Sequence, residues 1–381
     1  MLSRSNAKWA LLVVPVAIVG FLWLRPRDQP RPFPNGAEPA GIAGPAAAIA
    51  YAPDGTVLCA AYSGMVQAYV PEKKRFRSML VNRDDGGERS SAGFGGSGVF
   101  IQRLAVSADS KHVTAVVPQW PSLSVVFDLK KRRSLHSFAG PQSGVFDVSR
   151  DERWAVCGVQ GGVLLVDLSQ TKTLPKVATP PVPKRFRHHP IRVYGVTPSP
   201  SSASFSPDSR TLAVGFNSQV ALFDVDGDFQ VPRLQVDIKG RALPPQASDR
   251  AALRSANTFS DNRPLWLEWS PDGSKLAVLH SDQISILNRN LQTLVSAAVP
   301  RIGAPSNMLG PERANMAWTP DGEVLFSGGY QVRRWATADL KLEKIYAVSG
   351  PVAVSPDGKT LLTNNEARQG QKPYLLQWDV R

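Results

Sequence analysis

The densest group of chemically capable side chains is Lys184, Arg185, Arg187, His188, His189 and Arg192, beside Pro180, Pro181 and Pro183. Fixed cations packed this closely attract carboxylates, phosphates or lipid headgroups. The segment is therefore a candidate anionic-contact patch, with ordinary solvated charge as the alternative. Two adjacent histidines lacking a third imidazole or a carboxylate nearby do not define a metal site. The sequence has no G-x-S-x-G elbow, no H-E-x-x-H pair and no C-x-x-C pair. A Gly/Ser-rich stretch, DDGGERSSAGFGGSG, lacks the lysine that a phosphate loop places after its glycines. No catalytic residue, metal ligand or cofactor site is assigned, and the chain reads as a non-enzyme.

A second set of acids recurs with a period. Asp54, Asp109, Asp151, Asp208, Asp272, Asp321 and Asp357 each follow an apolar stretch, as in Phe205-Ser-Pro-Asp208-Ser and Trp269-Ser-Pro-Asp272-Gly. Pro sets the first corner of a turn, Asp bonds its own backbone and Gly accepts the left-handed corner. These carboxylates are thus structural turns and not catalytic groups. Each turn precedes an apolar, partly β-branched strand such as RTLAVGF or SKLAVLH. A tight polar turn and a third strand follow, for example VALFDV or YLLQWDV. The turns lie about 50 residues apart, the spacing of propeller blades or solenoid repeats. Seven units predict an all-β, seven-bladed β-propeller, closed so that no sheet edge is left at the ring seam.

The units resemble the WD40-repeat family, written loosely as apolar strand, SPDG, xLA, turn, apolar strand, WD. SPDG-LA repeats also occur in TolB-like propellers. The resemblance spans residues 46–380. The WD-like strand ends are Asp128, Asp167, Asp224, Trp335, Trp378 and Asp379, of which only Trp378-Asp379 is a true WD pair. The family's Gly-His dipeptide is missing, so the His–Asp–Ser/Thr–Trp hydrogen-bond network is expected to be missing too. The resemblance implies a protein-interaction scaffold.

Fourth strands are expected at 75–81, 132–139, 172–179, 229–236, 291–298 and 342–348. The seventh unit ends just after its third strand, so residues about 33–43 are expected to supply its outer strand. Longer connections at 82–100, 179–200, 237–264 and 299–314 should emerge on the face opposite the Asp turns. Cys59 and Cys157 lie in second strands of the first and third units, a blade apart. That separation exceeds the roughly 7 Å Cα limit for a disulfide, so free, buried thiols are expected.

The remaining elements tie the ring to a surface. Residues 1–8 form a short basic tail. Residues 9–24 (WALLVVPVAIVGFLWL) form an uncharged run of about 24 Å as a helix. Arg4, Lys8, Arg25 and Arg27 flank it, which suits a single-pass transmembrane signal-anchor; a cleaved signal peptide is the alternative. Residues 25–45 form a Pro-rich stalk, and 46–381 form the propeller. The short basic tail favours an extracytoplasmic propeller, on the periplasmic side in a bacterium. With 44 Lys and Arg against 31 Asp and Glu, the net charge is +13. Membrane-associated protein partners and anionic lipid contact are expected. Nucleic acid is disfavoured, since no zinc finger, RNP-like strand or long basic helix is present. The expected function is a membrane-anchored interaction scaffold, as a subunit or assembly factor of a membrane complex. An enzyme or small-molecule binder using the channel or the loop-rich face is the alternative.

Overall fold

The computed structural model describes residues 30–33, 46–61, 64–82, 88–90, 101–117, 123–139, 145–159, 162–168, 200–216, 219–227, 233–237, 265–280, 283–299, 315–329, 331–364 and 375–380. They form seven sheets, antiparallel but for one pairing in blade 2, arranged as the blades of a propeller. Blade 1 runs from Ala46–Tyr51 through Val57–Ala61 and Val66–Val70 to Arg75–Ser78. Blades 4, 5 and 6 repeat that order within 200–237, 266–298 and 316–346. Blade 3 has three described strands, Val145–Val148, Trp154–Val159 and Gly162–Asp167. The expected fourth strand at 172–179 lies outside the described residues, as do the runs 9–24 and 179–199.

The second strands are mostly apolar and buried over nearly their whole length because both faces of every blade are covered. Thr211–Phe216 is buried at each position. Alternate side chains of a strand point to opposite faces, so Leu212, Val214 and Phe216 enter the wedge between blades 3 and 4. Ala213 enters the wedge between blades 4 and 5. The core is accordingly divided into wedges, one at each of the seven junctions between adjacent blades. Cys59 sits between blades 7 and 1, Cys157 between blades 2 and 3, and both thiols are free.

The ring closes through the N-terminal segment, slightly earlier than the expected 33–43. Arg31 and Pro32 pair antiparallel with Gln377 and Leu376 on the outer edge of blade 7. The Phe33 N–H then donates to the Leu375 carbonyl at 2.8 Å. An edge strand tolerates Pro32 because only one of its sides is paired. Phe33 packs against Tyr69 and Phe76 of blade 1, with ring centroids 5.3 and 6.3 Å away. The same three residues therefore fasten the first blade to the last.

A second departure concerns the strand expected over 75–81. It breaks at buried Met79: Arg75–Ser78 stays in blade 1, whereas Leu80–Asn82 crosses to blade 2. There Leu80 pairs in parallel with Arg133, and Glu88–Ser90 pairs back on Leu80–Asn82. Part of the expected 82–100 insertion is thus a hairpin that widens blade 2 to six strands. Antiparallel order places the Asp turns and the third-to-fourth-strand turns on one face of the ring. The insertions leave from the other; apart from 88–90, their courses lie outside the described residues. No helix among the described residues is long and apolar enough to cross a membrane.

Candidate functional site: the central channel

Six of the seven Asp turns share one bonding scheme, which also gives a role to a residue the sequence reading passed over. In blade 5 the Ser270 hydroxyl donates to Asp272 Oδ1 at 2.6 Å and accepts the Lys275 N–H at 2.9 Å. Asp272 Oδ1 also accepts the Ser274 N–H at 3.0 Å. The hydroxyl two residues before Asp recurs as Ser107, Ser149, Ser206, Thr319 and Ser355. Blade 1 carries Ala52 there, and its turn retains the Thr56 N–H to Asp54 bond at 2.9 Å. Bonds from Ser270 and Ser274 hold the Asp272 carboxyl down at about 2. The Thr319 and Ser355 hydroxyls likewise lower Asp321 and Asp357.

The prolines of five turns, Pro53, Pro207, Pro271, Pro320 and Pro356, rim a cavity of about 420 Å³ that runs into the channel between the inner strands. At its wall three ionisable side chains from three blades converge. Arg103 of blade 2 bonds Asp147 of blade 3 and Glu268 of blade 5, each at 2.9 Å. Its guanidinium also donates to the Leu267 carbonyl at 3.1 Å and lies 4.4 Å from the centre of the Trp266 ring. Trp266 Nε1–H donates to the same Glu268 oxygen at 2.9 Å. Asp147 Oδ2 accepts the Phe205 N–H of blade 4 at 2.9 Å. Four blades are thereby joined through one guanidinium and two carboxylates.

Exposure of 13% for the Arg103 side chain and 6% for that of Asp147 means that little water screens this pair. Burial opposes the charge on Arg103, but Asp147 and Glu268 outweigh it and hold its pKa above the ordinary value. Burial pushes the Glu268 carboxyl up, and the pull of Arg103 offsets this only in part. The neighbouring Asp147 charge adds to the rise and Arg150 opposes it, so Glu268 resists ionising.

Other junctions carry polar links of their own. Leu267 N–H donates to Ser202 Oγ at 3.1 Å, and Trp269 Nε1–H to the Ser204 carbonyl at 3.1 Å. Trp318 Nε1–H donates to the Glu268 carbonyl at 3.2 Å. The Asn315 amide exchanges two bonds with the Val352 backbone, at 2.8 and 2.9 Å. Asn364 Oδ1 accepts the Ala46 N–H at 3.3 Å across the seam between blades 7 and 1.

The fold recurs among solved structures. No family model matches the chain, and no curated protein matches it either. It superposes on a chain from "Crystal Structure of Mitotic Checkpoint Complex" with a TM-score of 0.60. The match covers 100% of this chain and 98% of that chain at 13% identity. A likeness at that identity is one of fold alone.

The residues singled out in the sequence are distributed accordingly. All seven turn aspartates occupy the turns assigned to them, and all accept the N–H two residues on. Asp128 accepts the Lys131 N–H at 2.7 Å, and Asp224 pairs with Arg233 at 3.1 Å. Asp167 is buried opposite Trp154, and Asp379 pairs with Thr360. Trp335 Nε1–H donates to Ser327 Oγ at 2.9 Å and Trp378 Nε1–H to Thr363 Oγ1 at 2.8 Å. Two blades thus keep the Trp-to-hydroxyl half of the network expected to be missing. Lys184, Arg185, Arg187, His188, His189 and Arg192 lie outside the described residues. The sequence reading missed Arg103, Asp147 and Glu268: the two acids stand at the same repeat position, four residues before Asp151 and Asp272, and Arg103 stands six before Asp109. A charged residue on a short inner strand was their only available signal.

Proposed function

We propose that this chain is a WD40-like propeller that serves as a protein–protein interaction scaffold, anchored in a membrane through residues 9–24. In this reading it is a subunit or assembly factor of a membrane complex, with its ring on the extracytoplasmic side. One observation carries the scaffold reading: the ionisable groups that converge on the channel bond one another and the blade backbones. Arg103, Asp147 and Glu268 use their charge to hold four blades in register, which suits a rigid platform presenting its rims and outer edges to partners. The uncharged run with basic flanks, followed by a Pro-rich stalk, supports the anchored form.

The cavity of about 420 Å³ at the Asp-turn mouth favours a second reading, a small-molecule binder in the channel. Capture in mild detergent separates the two, using the full chain and a form lacking residues 1–27. The scaffold reading expects the full chain in the membrane fraction with co-purifying proteins at fixed stoichiometry, and the shortened form folded but released. A full chain that stays out of the membrane fraction and brings down no protein overturns it.

A further inference from the structure

Among the described residues, a concentration of positive charge lies in the wedge between the outer rims of blades 1 and 2. A cavity of about 460 Å³ there is lined by Arg75, Phe76, Arg77, Ser78, Lys131, Arg132 and Arg133, five of them cationic and none acidic. Exposed Lys73 and Lys74 in the preceding turn extend the basic surface. Lys131 is held by Asp128 at 3.7 Å. Among the described residues Arg75, Arg77 and Arg132 have no ion pair.

The backbone of this wedge is also organised for a ligand. Arg75–Ser78 is the outermost strand of its sheet, so half of its N–H and C=O groups face away from Tyr69 and its neighbours. Strand alternation sends Phe76 inward, where it is buried beside Tyr69 at 5.4 Å. Arg75 and Arg77 therefore project together on the other face, towards blade 2. The chain leaves this strand at Met79 and joins blade 2, and among the described residues no strand pairs with the outer edge of Arg75–Ser78.

We propose that this wedge binds an extended acidic segment of a partner protein, added as a fifth strand on blade 1. Its carboxylates would stand at every second residue. Side chains two apart on a strand lie about 6.6 Å apart, so such carboxylates match the spacing of Arg75 and Arg77. The turn Lys131–Arg133 would close over the next acid. The edge favours a peptide over a lipid surface, because a bilayer has no backbone to pair with it and is too flat to enter a wedge. The proposal rests on the scaffold reading and specifies one docking surface for it.

The test uses fluorescence anisotropy with the full chain in detergent. The probes are a labelled ten-residue peptide alternating Glu with Val or Thr, a same-composition peptide with its glutamates contiguous, and 3:1 phosphatidylcholine–phosphatidylserine vesicles. The alternating peptide should bind best and weaken with salt. The combined variant Arg75→Gln, Arg77→Gln and Arg132→Gln should bind it about tenfold or more weakly at an unchanged melting temperature. As a second arm, Arg75→Glu with Arg77→Glu should prefer a Lys-alternating peptide, which shows that a folded wedge has changed its choice. The proposal is overturned if the triple variant binds equally well, if contiguous glutamates bind as tightly, or if vesicles bind and neither peptide does. Partners retained by the triple variant in detergent capture would remove the wedge but leave the scaffold reading standing. No partner with the unmodified chain would remove the scaffold reading whatever the peptide does.

Discussion

Replacing Asp147 by alanine removes two bonds at once: the ion pair with Arg103 and the acceptor for the Phe205 N–H, each at 2.9 Å. Breaking a buried pair typically costs about 3–5 kcal/mol because a charge is left without its partner. Here Glu268 still faces Arg103, which brings the electrostatic loss towards the lower end. The orphaned Phe205 N–H adds a desolvation cost of about 1–3 kcal/mol. We therefore expect Asp147→Ala to lose about 4–6 kcal/mol of unfolding free energy. Asp147→Asn keeps the volume and an acceptor for Phe205, so it should lose only about 1–2 kcal/mol. Combining Arg103→Met, Asp147→Asn and Glu268→Gln leaves no unpaired buried charge and should return to within about 1 kcal/mol of the parent. Urea unfolding followed by tryptophan fluorescence suits this series, since Trp266 stacks on Arg103 itself. The reasoning fails if the alanine and asparagine variants match the parent within about 0.5 kcal/mol. It fails equally if the triple variant is as damaged as Asp147→Ala.

Three further outcomes are expected. Stability should fall as pH drops through roughly 4 to 2, because Asp272, held at about 2 when folded, must take up a proton near its ordinary 3.8 once unfolded. Asp272→Asn should flatten that acid limb in urea titrations, and Ser270→Ala should cost about 1 kcal/mol at pH 7; an unchanged limb would deny the turn its role. Burial pushes the Cys59 and Cys157 thiols up to about 12, so native alkylation at pH 8 should leave both unmodified and non-reducing mass spectrometry should find no bridge. Removing residues 1–27 should leave the melting temperature of the ring unchanged, whereas removing 1–34 deletes the closing strand and Phe33 and should cost about 2–4 kcal/mol; equal melting would mean that the seam closes without them.

The blade count, the turn chemistry and the isolation of the two cysteines were all legible in the residue order. Each depends on local rules that repeat: Pro-Asp-Gly corners, two-residue side-chain alternation and short apolar strands. Seven weak instances reinforce one another, so the degenerate WD ends did not obscure the architecture. Ser270 and its equivalents stood in the quoted motif, yet their hydrogen bonds emerged only when the turn was folded around them. The trio Arg103, Asp147 and Glu268 was invisible for a different reason. It joins residues as much as 165 positions apart, and sequence spacing carries no information about which inner strands face one another across a channel. Curvature into a ring brings them together. The break at Met79 has the same origin: residues 75–81 read as one strand, but Leu80 finds its partner at Arg133, on the neighbouring blade. Strand propensity is a local property that the chain carries with it. Choice of neighbour depends on closure of the whole ring, and that choice places both the buried charges of the channel and the basic wedge at the rim.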